Sequence, residues 1–237
     1  MALPFFYKQD IDITATKIVL DEDTSKHIVQ VLRMQNGEHL QLTNGKGHLF
    51  TCAITDNNRK KCSVKVITAI NYQPPTINVS IAISLLKNTN RFEWFLEKAT
   101  EIGVSEIIPL VCERTEKTAF KFERMHSILV SAMLQSQQCY LPVLTPPQQL
   151  NSKTIEQFKT GQKLIAHCED GDNKQPLTNK LINQLTDKLI LIGPEGDFTK
   201  EEIELALQNN FTPVSLGNTR LRTETAGVVA ATLLMQL

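Results

Sequence analysis

The stretch Leu189-Ile-Leu-Ile-Gly-Pro-Glu-Gly-Asp-Phe-Thr199 constrains this chain more than any other. Leu189 to Ile192 form an apolar run of the kind that makes a buried strand, and it stops abruptly at Gly193-Pro-Glu-Gly196. Thr199, with Glu202 three residues later, has capping-box spacing, which starts a helix. The order is strand, tight glycine loop, helix. It recurs in Val214-Ser-Leu-Gly217, followed by Leu221-Arg-Thr-Glu-Thr-Ala226 and an apolar helix. Loops of this kind expose backbone N–H and C=O groups at the carboxyl ends of strands, where α/β proteins bind ligands. Two of them close together point to one composite pocket.

The rest of the chain has two textures. In residues 1–72 the apolar period is two: His39 to Thr43, His48 to Ile54 and Cys62 to Ile67 alternate, with turns at Asn44-Gly-Lys-Gly47 and Asp56 to Asn58. One short helix is expected between Thr24 and Leu32. Tyr72-Gln-Pro-Pro-Thr76 breaks the pattern, which places a boundary between residues 72 and 73. Beyond it, strands alternate with helices. Val79 to Leu86, Glu106 to Val111, Lys163 to His167, Leu189 to Ile192 and Val214 to Leu216 read as strands. Phe92, Phe95, Leu96, Ala99 and Ile102 mark one helical face, closed by Gly103, and Met125 to Met133 mark another. Helices are also expected over Leu177 to Leu185, around Ile203 to Leu207, and over Ala226 to Leu233. This alternation implies an α/β domain with a mostly parallel sheet covered on both faces, preceded by a small β unit.

Composition narrows the setting. Lys plus Arg equal Asp plus Glu at 25 each, so no whole-molecule field advertises a polyanion, although a local basic face can be balanced elsewhere. The cysteines, at 52, 62, 112, 139 and 168, show no C-x-x-C spacing and suit free thiols in a reducing compartment. No secretory signal pattern or membrane-length apolar run is present, so a cytoplasmic location is expected. There is no G-x-G-x-x-G after a strand and no G-x-x-x-x-G-K-[ST] loop, which disfavours dinucleotide and nucleoside triphosphate chemistry. His167-Cys-Glu-Asp170 is not a metal site, because adjacent residues at a strand end diverge, and no metal is expected.

The two loops resemble the paired motifs of the SPOUT superfamily of RNA methyltransferases, and the whole chain is similar to the bacterial 16S rRNA (uracil-N3)-methyltransferase family. Lys26-His-Ile-Val-Gln-Val-Leu-Arg-Met-Gln-Asn-Gly37 resembles that family's PUA-like barrel signature. Lys87, Glu93 and Glu97-Lys-Ala-Thr-Glu-Ile-Gly103 resemble its first transferase helix, and Ile192 to Gly196 with Leu216 to Ala226 resemble its cofactor loops. The resemblance implies a PUA-like RNA-binding β-barrel over 1–72 and, over 73–237, a SPOUT domain with a C-terminal trefoil knot. It also implies bound S-adenosylmethionine, a homodimer, and a uridine of 16S rRNA in the assembled small subunit as substrate. The cofactor would be held by Leu191, Ile192, Gly193, Pro194, Glu195 and Gly196 from one loop. The other would supply Ser215, Leu216, Gly217, Leu221, Arg222, Thr223 and Ala226.

Uracil N3 becomes nucleophilic only when its proton leaves, so the site must stabilise a uridinate. Arg222 is the expected cation, and Glu224 and Glu101 are the carboxylates considered as base. Arg33, Lys26, Lys87, Arg114 and Arg124 are the expected RNA contacts. Two departures from the family pattern stand out: Leu134 and Gln138 replace an acidic residue and an arginine, and Asp197 replaces a glycine. Trp94 is expected in the core. Spacing alone leaves open a ribose 2′-hydroxyl or purine nitrogen as acceptor, and a non-catalytic rRNA-binding assembly factor.

Overall fold

The computed structural model describes residues 3–159, 161–169, 174–180 and 186–236. The chain divides into two compact units, Met1–Pro74 with Met133–Leu141, and Pro75–Ala132 with Pro142–Leu237.

The first unit contains β1 (Phe5–Tyr7), β2 (Lys17–Val19), α1 (Glu22–Lys26), a π-helical turn (His27–Val31), β3 (His39–Thr43), β4 (His48–Asp56) and β5 (Ser63–Asn71). The strands form one sheet in the order β1-β3-β4-β5-β2, antiparallel except for β1 with β3. Period-two alternation sends Leu40, Leu42, Phe50, Cys52, Ile54 and Val64 into a common core. Register shifts at Thr51/Cys52 and Ile54/Asp56 mark bulges, which bend a strand and curl its sheet. With β1 and β2 as edges, the expected barrel is a half-barrel. The expected helix starts earlier, at Glu22 behind an Asp21 cap, and its second half is π-helical, with Leu32 N–H donating to His27 O. Arg33 follows in the left-handed region (φ 56°), an uncommon place for a residue with a long side chain.

Residues 133–141 complete this unit from far along the chain. Leu141 N–H donates to Gly45 O, Gly47 N–H to Cys139 O, and the Tyr140 hydroxyl to Tyr72 O at 2.8 Å. A Cβ at Gly47 (φ 88°) would lie 2.2 Å from the Tyr140 hydroxyl, so only glycine fits there. Gln138, one of the departures from the family pattern, donates to Ser136 Oγ.

The second unit runs β6 (Val79–Ser84), α2 (Thr89–Ile102), β7 (Glu106–Val111), α3 (Phe122–Gln135), β8 (Val143–Leu144), β9 (Gln148–Gln149), α4 (Ser152–Gln157) and β10 (Gln162–Ala166). It continues with β11 (Gln175–Pro176), α5 (Leu177–Lys180), β12 (Lys188–Ile192), α6 (Lys200–Gln208), β13 (Thr212–Ser215) and α7 (Thr223–Gln236). The sheet order is β11-β13-β10-β12-β6-β7-β8, with β9 also on β7, and every pairing is parallel. β6 and β12 are buried along their whole length, as expected for central strands covered on both faces. Only the first part of the helix expected over 177–185 falls within the described residues. None of the helices among them is long and apolar enough to cross a membrane.

α2 follows its sequence pattern. Asn88 caps its start, Phe92, Phe95, Leu96 and Ala99 form its buried stripe, and Gly103 (φ 97°) ends it. Trp94 corrects the sequence reading: it lies off that stripe and is 42% exposed. α7 packs on α2, β6 and β12. Lys188, fully buried at the start of β12, reaches the Leu234 carbonyl near the end of α7, where a cation suits the helix dipole. Burial pushes its pKa below the usual lysine range. The α2–α7 contact depends on Gly227, where an added Cβ would sit 2.6 Å from the buried Phe95 ring and 2.9 Å from Ile83. Gly227→Ala gains up to about 1 kcal/mol of helix propensity but forces the rings apart at about 1–3 kcal/mol, so overpacking wins. The melting temperature of this variant is expected to fall by roughly 2–8 °C in a calorimetric scan; an unchanged or higher value would show that the contact has slack.

Candidate active site at three strand ends

The parallel registers build the site. Ala166 at the end of β10 pairs with Ile192 of β12 on one side and with Val214 of β13 on the other. The three strands therefore finish at one level, and the segments that follow them leave from adjacent points. Two connecting cavities form there. One, of about 300 Å³, is lined by Ile192 to Glu195, Asp197 and Arg220 to Thr223, with Ala166, Cys168 and Ala226. The other, of about 440 Å³, shares Ala166, Cys168, Arg220, Leu221 and Ala226 and adds Ser215, Leu216, Gly217, His167 and Lys174. Together they have the size of an ordinary small-molecule pocket.

The β12–α6 loop is held by bonds that leave the pocket side free. Gly193 lies so close to the buried Phe198 ring that a Cβ would approach it to 3.1 Å. Asp197 N–H closes a turn on Pro194 O, and Asp197 adopts the left-handed conformation (φ 64°). Asp197, which stands where the family pattern has a glycine, thus fills a turn position that favours glycine and tolerates aspartate. Its carboxylate accepts from Phe198 N–H and, at 2.7 Å, from Cys168 N–H, which ties the loop to the end of β10. The helix starts at Lys200 behind the predicted capping box of Thr199 and Glu202. Glu202 also accepts from Glu113 N–H at 2.9 Å. Arg114 donates to the carbonyls of Gly196 and Phe198 at 2.8 and 3.3 Å.

The β13–α7 loop turns through Gly217 (φ 145°), a conformation that side chains avoid, with Ser215 Oγ donating to Gly217 O. Thr223 is the first residue of α7 and is buried. Arg222 and Arg220 line the pocket, are exposed, and have no ion pair among the described residues. Glu224 does not line it. It is buried, 3.7 Å from Arg91 of α2, and its Oε2 has no hydrogen-bond partner among the described residues. Glu101 is held by Lys98 at 3.0 Å on the same helix.

Of the residues expected at the cofactor, Ile192, Gly193, Pro194, Glu195, Ser215, Leu216, Gly217, Leu221, Arg222, Thr223 and Ala226 line the pocket. Leu191 is fully buried in the core, and Gly196 offers its carbonyl to Arg114. The expected RNA contacts are differently engaged. Lys87 pairs with Glu116 at 2.6 Å, Lys26 with Glu22 at 2.9 Å, and Arg124 with Glu93 through a fork at 2.6 and 2.9 Å. Arg33 is exposed in the first unit.

Sequence reasoning weighed His167 only within His167-Cys-Glu-Asp170, rejected there as a metal site, and assigned no role to Lys174. Lys174 Nζ donates to the carbonyls of His167 and Glu169. His167 Nδ1 is buried and has no hydrogen-bond partner among the described residues. Burial, reinforced by the charge of Lys174, pushes the imidazole pKa below the usual histidine range, so the ring is neutral. The signal was the end of β10, whose register with the other strands only the fold supplies. Cys112 and Cys52 are pushed up to about 12 and about 11 by burial, so neither is a nucleophile at neutral pH. Among the described residues, no three His, Cys, Asp or Glu side chains gather as a metal site would.

Comparison with known proteins matches this architecture. Residues 73–235 fit the model of an RNA methyltransferase domain, and residues 20–67 that of an RNA methyltransferase PUA domain. The chain is 29% identical to the ribosomal RNA small subunit methyltransferase E of Rickettsia conorii, over 91% of this chain and 88% of that one. A probable rRNA-methyltransferase of Porphyromonas gingivalis superposes with a TM-score of 0.87 at 40% identity, covering 97% and 95% of the two chains. The ribosomal RNA small subunit methyltransferase E of Neisseria gonorrhoeae, solved bound to S-adenosylmethionine, superposes at 0.86 with 25% identity over 99% and 98%. With a family model covering the strands, loops and helices that build the pocket, this chain belongs to the RNA methyltransferase family.

Proposed function

We propose that this protein methylates N3 of a uridine in 16S rRNA of the small ribosomal subunit, using S-adenosylmethionine bound in the strand-end pocket. The observation that carries the reading is the register Ala166–Ile192 and Ala166–Val214, which sets two glycine loops and the unpaired Arg222 around one cavity. The small-subunit relatives and the cofactor-bound neighbour support the substrate and the donor.

The residues present fit that donor. Ile192 to Glu195 and Ser215 to Leu221 line the cavity, and His167 Nδ1, without a partner among the described residues, supplies a buried polar atom that requires one. When bound, S-adenosylmethionine supplies a sulfonium methyl group for in-line transfer. The chain's own work is to orient the base and hold the charge left when the N3 proton departs to solvent. Arg222, exposed and uncompensated at the pocket, stabilises that uridinate. Glu224, committed to Arg91, contributes by fixing α7 against α2.

Residues 1–72 serve as the RNA-binding part and 73–237 as the transferase. From β13 the chain returns to lay α7 on β6, β12 and α2, which supports the trefoil knot that SPOUT relationship implies. Val228, Val229, Leu233 and Met235 stay only partly buried along α7, an apolar stripe suited to a second copy in a homodimer. The reading places the protein in the cytoplasm with the ribosome.

Mass spectrometry of 16S rRNA from a deletion strain is expected to show one uridine lacking its N3 methyl group, restored by the wild-type chain. A missing methyl on a ribose or a purine would reassign the acceptor, and no missing methyl would remove the enzymatic reading. Arg222→Ala is expected to lower turnover by at least about 100-fold with the fold, checked by circular dichroism, intact; near-wild-type turnover would refute its role.

His167 gives a pH dependence whose sign follows from its lowered pKa. The unfolded chain binds a proton as pH drops through 6.5, while the folded ring resists it. Stability is therefore full above 6.5 and is lost as pH falls toward the lowered value. Between about pH 7.5 and about pH 5.5 the melting temperature of wild type is expected to fall more than that of His167→Asn. Parallel curves would show that the buried imidazole is not responsible.

A further inference from the structure

We infer that a third cavity, where α2 and α3 begin, is a subsite for a backbone phosphate of the RNA substrate. It has a volume of about 250 Å³ and is lined by Thr89, Asn90, Glu93, Lys117, Lys121 and Arg124 among others. Its charges do not balance. The Arg124 guanidinium forks onto Glu93 and holds that carboxyl below the usual carboxylate range, so this pair cancels and stiffens the wall between α2 and α3. Lys117 donates to the neutral Thr89 hydroxyl at 3.0 Å, which orients its ammonium without neutralising it. Lys121 is exposed and has no ion pair among the described residues. Two uncompensated ammonium groups on one small cavity suit a phosphate, which lysine binds as a point charge.

Position selects a polymer over a free anion. The start of α2 is tied to both loops of the transferase pocket. Lys87 N–H donates to Glu195 Oε1 at 3.2 Å, while the Lys87 ammonium meets Glu116, the neighbour of Lys117. One turn on, Arg91 faces Glu224 at the start of α7. Asn90 of the cavity thus adjoins Arg91, whose partner Glu224 lies two residues after Arg222. Phe122, directly after Lys121, is 36% exposed, with its ring stacked on His126 at 6.2 Å and met edge-on by Phe120 at 6.3 Å, which puts an aromatic group beside the cavity.

This assignment rests on the methyltransferase reading and is tested apart from it. The Lys117→Ala, Lys121→Ala double variant of the full chain is titrated with small ribosomal subunits at several salt concentrations. Subunit affinity is expected to fall about tenfold, and the plot of log K against log salt to become shallower by roughly 0.7, the value for one single-strand phosphate, with S-adenosylmethionine affinity intact. An unchanged slope and an unchanged KM for subunits would overturn the subsite and leave the methyltransferase reading standing. Loss of slope in the variant, combined with a wild-type protein that transfers no methyl group, would support the subsite and sink that reading. If inorganic phosphate stabilises wild type but not the variant while RNA affinity is equal in both, the cavity is a small-anion site and the RNA assignment is wrong.

Discussion

Parallel pairing of β10 with β12 and β13 is the constraint on which the site depends. Parallel strands need crossover connections, which bring the chain back to the starting ends of the strands before the next one begins. Because Ala166 is in register with both Ile192 and Val214, three chain segments emerge side by side. A slip of one residue in either pairing would turn every side chain of the slipped strand to the other face and misplace the glycine loops relative to each other.

The loops keep their shape because side chains from elsewhere satisfy their outer polar groups. Arg114 takes the carbonyls of Gly196 and Phe198, Asp197 takes Cys168 N–H, and Glu202 takes Thr199 and Glu113 N–H. Phe198 is buried in the core under Gly193. This holding from outside leaves the inner backbone available to a ligand and supplies rigidity without placing bulky groups in the cavity. Arg114, expected as an RNA contact, also braces the turn here, because its guanidinium satisfies two carbonyls that the tight loop leaves without backbone partners.

Much of the second unit was legible because its signals are local. The capping box at Thr199, the glycine end of α2 and the uninterrupted apolar runs of β6 and β12 each follow from neighbouring residues. Trp94 was misread because an aromatic next to a helical stripe looks like core until the helix is turned to its true angle. The short strands β1, β2, β8 and β9 carry too few residues to show a period. The return of Met133–Leu141 to the first unit was invisible because the hydrogen bonds of Gly45, Gly47 and Tyr72 to it span long stretches of sequence.

By itself the sequence determined that a strand ends in a glycine loop twice, that a capped helix follows the first loop, and that no dinucleotide or triphosphate loop competes for the role. These are properties of adjacent residues, set by backbone sterics and capping. The tertiary structure alone decided which strand ends meet, that His167 and Lys174 join the pocket, that Glu224 faces Arg91 instead of the cavity, and that Lys117 and Lys121 stand uncompensated beside α2. Proximity across the sheet depends on strand order and register, and burial and pairing of a charge depend on neighbours that the chain brings in from a distance.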